Sequence, residues 1–235
     1  MAGSEKIQET IQHTNTGSDG HMEERDMITY PARPTNGGPV DKAASKYGDW
    51  MYEPKYNGWR ALVHVPTGRM WNRQGEPLSI TDKFDTALMQ LKETDLEWVD
   101  CEALERRHDI GKGSLIVFDT PMKGRGPTYL FRKGLVYDTR LPFAFWNNEM
   151  ESLRPVDPLD LNPTGFSIMA GAYIAPHFPE CEVNAHWEEM KQFNEKQGCE
   201  FYEGLVAKKT DSKYHIQLRS PNEKYGYWIK HRFKA

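Results

Sequence analysis

The chain has 235 residues, a net charge of -4 and a hydrophobic fraction of 38% with 12% aromatics, which excludes wholesale disorder and leaves room for a sizeable core. No uninterrupted apolar run approaches the ~18 residues of a membrane span, and the polar N-terminus lacks the apolar stretch of a secretory leader. Cys101, Cys181 and Cys199 form no C-x-x-C pair, which argues against a disulfide framework or zinc site and fits a reducing, cytoplasmic setting.

In chain order, residues 1–30 are polar, acidic and without apolar period, and read as a flexible tail, part of which looks like a linker. Residues 31–235 read as one domain. Tyr30 to Asp41, rich in Pro and Gly, is expected to be an ordered loop at most. Trp59 to Val65 and Met70 to Arg73 flank a Pro-Thr-Gly turn and predict a hairpin. Phe84, Leu88 and Leu91 recur at helical spacing over Lys83 to Glu93, behind a polar cap segment at Ser79 to Asp82. Trp98 to Leu104, Ser114 to Phe118 and Phe166 to Ala175 read as strands. His186 to Lys196 reads as a helix with Trp187, Met190 and Phe193 on one face, followed by strands over Gly204 to Lys208 and Gly226 to Ile229. Strand runs interleaved with isolated helices predict an α+β domain of antiparallel sheets flanked by helices.

Several residues carry chemistry. Lys55 sits in Glu53-Pro54-Lys55-Tyr56-Asn57-Gly58-Trp59-Arg60. A lysine attacks phosphorus only as the free amine, Gly58 permits close backbone approach, and Arg60 offers a permanently charged fork to ribose or phosphate oxygens. Glu102, in Val99-Asp100-Cys101-Glu102, is a carboxylate in an apolar strand, costly unless partnered. Phe118 ends the apolar run before Asp119. Glu203, in Glu203-Gly204-Leu205-Val206-Ala207-Lys208, is an oxygen ligand suited to a hard cation. Lys230 and Arg232, in Trp228-Ile229-Lys230-His231-Arg232, alternate on a strand and so point to one side. Residues 201–235 hold eight Lys and Arg against three acidic residues, a local cationic stretch that the net charge conceals. Gly111-Lys112-Gly113-Ser114 lacks the upstream Gly of a P-loop, and the eight His show no metal-ligand spacing.

The order and content of these segments, from Glu53 to Arg232, resemble the covalent nucleotidyltransferase superfamily of polynucleotide ligases and mRNA capping enzymes. The wording is most similar to the adenylation domain of ATP-dependent DNA ligases. That resemblance implies an ATP-grasp-like nucleotidyltransferase domain, here without the C-terminal OB-fold domain that follows it in the family. It implies Lys55 as nucleophile, with Lys230 and Arg232 on the α-phosphate. It implies Glu53, Arg60, Arg73, Glu102, Phe118 and Lys208 around the nucleotide, with Glu102 on the ribose, Phe118 on the purine, Lys208 near the phosphates and Arg73 at the adenylate or the 5′-phosphate end. Glu203 would hold Mg²⁺. The chain departs from the pattern at Asn57 (usually Asp), Cys101 (usually Gly) and Arg232 (usually Lys). There is no room before Lys55 for the domain that reads nicotinamide, so ATP is the expected adenylate donor. The partner would be nicked duplex DNA, no membrane is involved, and a monomer is expected. An RNA ligase, a capping guanylyltransferase and a decayed nucleic-acid-binding module are the alternatives.

Overall fold

The computed structural model describes residues 32–38, 40, 49–122, 127–144, 170–215 and 224–234. The acidic tail, Arg219 and the start of the strand expected over Phe166 to Ala175 lie outside these residues. Among the described residues, ten strands form two five-stranded sheets. The first, in the order β1-β10-β9-β2-β8, joins Arg33–Asn36 (β1), Lys224–Arg232 (β10), Tyr202–Lys209 (β9), Trp50–Tyr56 (β2) and Phe178–Pro179 (β8). The second, in the order β4-β3-β5-β6-β7, joins Arg69–Asn72 (β4), Trp59–His64 (β3), Trp98–Leu104 (β5), Ser114–Asp119 (β6) and Ala172–Ile174 (β7). Three α-helices are described: α1 (Asp85–Lys92), α2 (Tyr129–Asp138) and α3 (Val183–Gln197). None of the described helices is long and apolar enough to cross a membrane. The sheets are mixed and not wholly antiparallel, because β1 runs parallel to β10 and β6 parallel to β7.

Period-two alternation decides what each sheet buries. Ala61 and Val63 of β3, Val99, Cys101 and Ala103 of β5, and Leu115 and Val117 of β6 pack with Phe84, Leu88 and Leu91 around α1 in one core. The intervening residues Leu104 and Ile116 belong to a second core with Tyr52, Tyr56, Leu205 and Ala207 of the first sheet and Met190 of α3. Arg60, Asp100, Glu102 and Phe118 therefore share the face of the second sheet turned away from α1. Cys101 fills the α1 core at 0% exposure, and burial pushes its thiol well up, which fits a small packed side chain and not a nucleophile.

Besides the two-residue β8, three elements escape the sequence reading, each for an identifiable reason. In β2, Pro54 argues against a strand. It is tolerated because β8 pairs only with Met51 and Tyr52, which leaves β2 an edge at Pro54. Helix α2 is capped by Thr128, whose hydroxyl accepts from the Phe131 amide at 3.4 Å. Its buried residues Tyr129, Arg132, Lys133 and Val136 have true helical spacing, but two of the four are cations, so apolar periodicity misses them. Strand β1 runs through Pro34 in a stretch whose Pro and Gly content reads as loop. In α1 the helix starts two residues later than expected, at Asp85 and not Lys83, and the cap differs too. A 3₁₀ turn, Thr81–Phe84, leads in, and Phe84 at the N-cap makes no side-chain cap bond.

Candidate active site

A cavity of about 460 Å³ lies between the two sheets, within the size range of small-ligand sites. Its lining includes Glu53, Lys55, Arg60, Arg73, Glu102, Phe118, Glu203, Lys208, Lys230 and Arg232, the ten residues singled out in the sequence. Strand register explains the convergence. Glu53 pairs with Val206 and Lys55 with Gly204 across β2 and β9, while Lys230 pairs with Val206 and Arg232 with Gly204 across β9 and β10. Residues directly opposite in antiparallel strands share a face, so Glu53, Lys55, Val206, Lys230 and Arg232 all look into the cavity. The β2–β9 register then slips by one, with Tyr56 opposite Tyr202. Glu203 is the extra residue of this bulge, which turns it to the same side as Lys55. Gly204 makes the bulge possible: its φ is +139°, and a Cβ there would come within 2.0 Å of the His231 carbonyl oxygen.

At one end of the cavity, Lys55 Nζ lies 2.5 Å from Glu203 Oε2, and Arg232 Nη2 lies 3.1 Å from the same oxygen. Burial works against the charge of Glu203, but Lys55 and Arg232 outweigh it and hold the carboxyl below its usual range. Lys230 is shifted downward, by burial first and then by the neighbouring cations Arg232, Lys55, Arg33 and Lys224. Glu102 accepts the Gly58 amide at 3.0 Å on Oε1. Gly58 serves packing against β5: a Cβ there would sit 2.6 Å from the Ala103 carbonyl oxygen and 2.8 Å from the Glu102 side chain. Asn57, the departure from the family's Asp, donates to the Glu200 carbonyl at 2.8 Å and ties the turn after Lys55 to the start of β9.

Three of the expected ligand contacts are occupied by the protein itself. Arg60 forks onto Asp100 at 2.9 and 2.5 Å and donates to the Ala32 carbonyl at 2.7 Å. Burial opposes its charge, and Asp100 more than restores it. Glu53 is 2% exposed and receives Tyr129 at 2.9 Å, Lys133 at 2.7 Å and Lys208 at 2.8 Å. Lys208 stands four residues along β9 from Gly204, ~13 Å at the usual strand rise, and lies over the Phe118 ring at 4.9 Å. It thus belongs to the aromatic end of the cavity and not to the end holding Glu203. Phe118 packs on the second core while also lining the cavity, with Arg60 over its ring at 5.6 Å. Arg73 lies exposed in the hairpin after β4, shaped by Asn72, whose side chain accepts from the Gln74 and Glu76 amides at 2.8 and 3.0 Å. Sequence reasoning missed Tyr129, Lys133, Arg33 and Arg107. The first two come from the unrecognised α2, Arg33 comes from a segment read as a loop, and Arg107 lies between two expected strands, outside any element that was read. Among the described residues, no three His, Cys, Asp or Glu side chains cluster to hold a metal.

Glu102 supplies a pH test. Burial pushes its carboxyl up to about 7 from an ordinary 4.5, against the pull of Lys55 and of the Gly58 amide. The folded protein keeps a proton there that the unfolded chain has released. The resulting stability is complete below the unfolded pKa and is lost as pH rises through the folded one. Unfolding midpoints in urea should therefore fall between about pH 5 and about pH 8 more steeply for the wild type than for Glu102→Gln. Equal slopes would remove Glu102 as the cause.

No protein-family model matches the chain, and no curated protein matches it in sequence. Solved structures do match. The ligase domain from M. tuberculosis LigD superposes with a TM-score of 0.52 at 18% identity, over 87% of this chain and 59% of that one. A mycobacterial DNA ligase D complexed with ATP and MES gives 0.51 at 19% identity, over 87% and 60%. A Chlorella virus DNA ligase-adenylate gives 0.50 at 16% identity, over 87% and 67%. The chain thus spans about three-fifths of the length of the two mycobacterial structures. Two mixed sheets around a central cavity, flanked by few helices, are in this chain the nucleotidyltransferase fold of DNA-ligase domains.

Proposed function

We propose that the chain is the adenylating domain of an ATP-dependent polynucleotide ligase, with Lys55 as the nucleophile. The observation that carries this reading is the grouping of Lys55, Glu203, Lys230 and Arg232 on one face of β2, β9 and β10. That group shares a single cavity with the Phe118 ring. The fold likeness supports it, since one such neighbour is complexed with ATP and another is a ligase-adenylate.

Three steps follow chemically. The Lys55 amine forms a P–N bond to the α-phosphorus of ATP as the bond to pyrophosphate breaks. The AMP then moves to a 5′-phosphate at a nick, and a 3′-hydroxyl displaces AMP to close the strand. Lys55 is one half of an ion pair with Glu203, so Glu203 must leave it before the amine can lose its proton and attack. The Glu203 carboxylate is an oxygen donor of the kind Mg²⁺ takes, and the chemistry such an ion would supply is neutralisation of triphosphate charge. Glu203 is the residue that would hold it. Lys230 and Arg232 stand where paired cations can offset charge developing on the α-phosphate. Arg60, bound to Asp100, acts by fixing the wall beside Phe118.

The direct test is sealing of a nicked DNA duplex with ATP, compared with GTP and with nicked RNA. Closure of DNA nicks with ATP supports the reading, and closure of RNA ends alone would transfer it to an RNA ligase. Phe118→Ala separates base stacking from packing. Stacking of a base on an aromatic ring is worth ~1–3 kcal/mol, so the variant should need about tenfold more ATP for half-maximal rate. Its stability loss should stay below the ~3–5 kcal/mol of a fully buried Phe→Ala change. A larger loss of stability with unchanged ATP dependence would make Phe118 a packing residue only.

A further inference from the structure

Glu53 lines the cavity two residues before Lys55, but α2 holds it from behind, through residues that are not part of the lining. Its Oε1 accepts the Tyr129 hydroxyl at 2.9 Å and Lys133 Nζ at 2.7 Å, and its Oε2 accepts Lys208 Nζ at 2.8 Å. Tyr129 and Lys133 are both buried and stand one turn apart on the inner face of α2. Lys133 also donates to the Ala175 carbonyl at 2.6 Å. A tyrosine hydroxyl has one proton, and Glu53 takes it, so His177 Nδ1, 3.2 Å away, is the donor to the Tyr129 oxygen. Burial, and then Lys133, pushes the His177 imidazole down to about 4, which keeps it neutral.

These contacts reach the side chains that do face the cavity. Lys133 Nζ and Lys208 Nζ each lie 3.4 Å from the Phe118 carbonyl oxygen, and Lys208 Nζ stands over the Phe118 ring at 4.9 Å. Burial opposes the charge of Glu53, but Lys133 and then Lys208 outweigh it and hold the carboxyl below its usual range. With Oε1 filled from α2, Oε2 is left to Lys208, which fixes the ammonium beside the ring. Without Lys133, Lys208 is the remaining ion-pair partner of Glu53 among the described residues. The buried carboxylate would then draw Lys208 across to the vacated oxygen and away from Phe118.

We propose that Tyr129 and Lys133 are positioning residues for the nucleotide base. They hold Glu53 and the Phe118 backbone in place, and through Glu53 they hold Lys208 at the ring on which the base stacks. Base stacking at Phe118 belongs to the ligase reading, on which this role rests, and the two α2 residues are what it adds. Neither lines the cavity, so each acts through Glu53 and Phe118 and not on the reacting phosphate.

Equilibrium binding of three probes to the full chain separates this role from a merely structural one. ATP and adenosine carry the base, and inorganic tripolyphosphate carries only the phosphate tail. Tyr129→Phe removes one hydroxyl and keeps the ring, and should weaken ATP and adenosine about tenfold, as for loss of a hydrogen bond to a buried charge. Lys133→Met should weaken both further. Tripolyphosphate should stay within about twofold of wild type for both variants, because its end of the cavity is built by β9 and β10. Lys133→Met should also lower the unfolding midpoint, and adding Glu53→Gln should recover much of that loss without restoring adenosine binding. If Lys133→Met does not fold, Tyr129→Phe decides alone. Equal losses for all three probes, or affinities within about twofold of wild type for all, would overturn the positioning role. So would a wild type that binds tripolyphosphate and not adenosine. If the split is found but the wild type never acquires AMP, the positioning role stands and the ligase reading fails. If the wild type acquires AMP on Lys55 but neither variant shows the split, the reverse holds.

Discussion

Lys55→Ala is expected to abolish formation of the AMP adduct, by on the order of 10⁴-fold or more, as when a nucleophile is deleted from other enzymes. The fold should survive, because Lys55 is part-exposed to the cavity and its ion pair with Glu203 is not a core contact. Lys55→Arg should be equally inert, since a guanidinium stays protonated and is not a nucleophile. The same Lys55→Ala protein should still close a nick whose 5′ end already carries AMP, because that substrate bypasses both steps that use the lysine. Adduct formation by Lys55→Ala at the wild-type rate would end the assignment. Loss of closure on the pre-adenylated nick would show that Lys55 also acts after AMP has left it.

The second large effect concerns stability. Arg132 is 0% exposed and grips Asp119 at 2.7 and 3.0 Å while donating to the Pro127 and Ser212 carbonyls at 2.6 and 3.2 Å. It fastens α2 to the end of β6 beside Phe118. Arg132→Met leaves the Asp119 carboxylate buried, with Lys208 at 3.9 Å as its remaining ion-pair partner among the described residues. Breaking a buried pair in this way costs about 3–5 kcal/mol. Denaturant unfolding should show that loss, and adding Asp119→Leu to Arg132→Met should recover much of it, because replacing both partners removes the stranded charge. A single-variant loss below about 1 kcal/mol would mean that water or a rearranged Lys208 takes over the carboxylate.

How much of this was legible in the sequence depends on what each residue had to signal. β5 was read with its observed ends, Trp98 and Leu104, and α3 was found although it begins three residues earlier, at Val183. In both, alternating or helical apolar spacing coincides with real burial. The ten candidate site residues line one cavity because strand register carries short motifs to a shared face, so motif order alone was enough to gather them. What could not be read was how the site is already engaged. Glu53 looks like a ligand contact in a linear motif, but α2 supplies Tyr129 and Lys133 from 76 and 80 residues away. Arg60 and Asp100 likewise meet only because β3 and β5 pair. A bulge such as that at Glu203 leaves no trace beyond a Gly at the next position, and Gly has many other uses.

The central claim, that Lys55 takes AMP from ATP, is tested most directly by incubating the wild-type protein with ATP and Mg²⁺ and mapping the product by peptide mass spectrometry. The account predicts one AMP per chain, on the peptide containing Lys55, released by acid and by added pyrophosphate. AMP attached at another lysine, Lys208 or Lys230 included, or no covalent AMP at all, would contradict it.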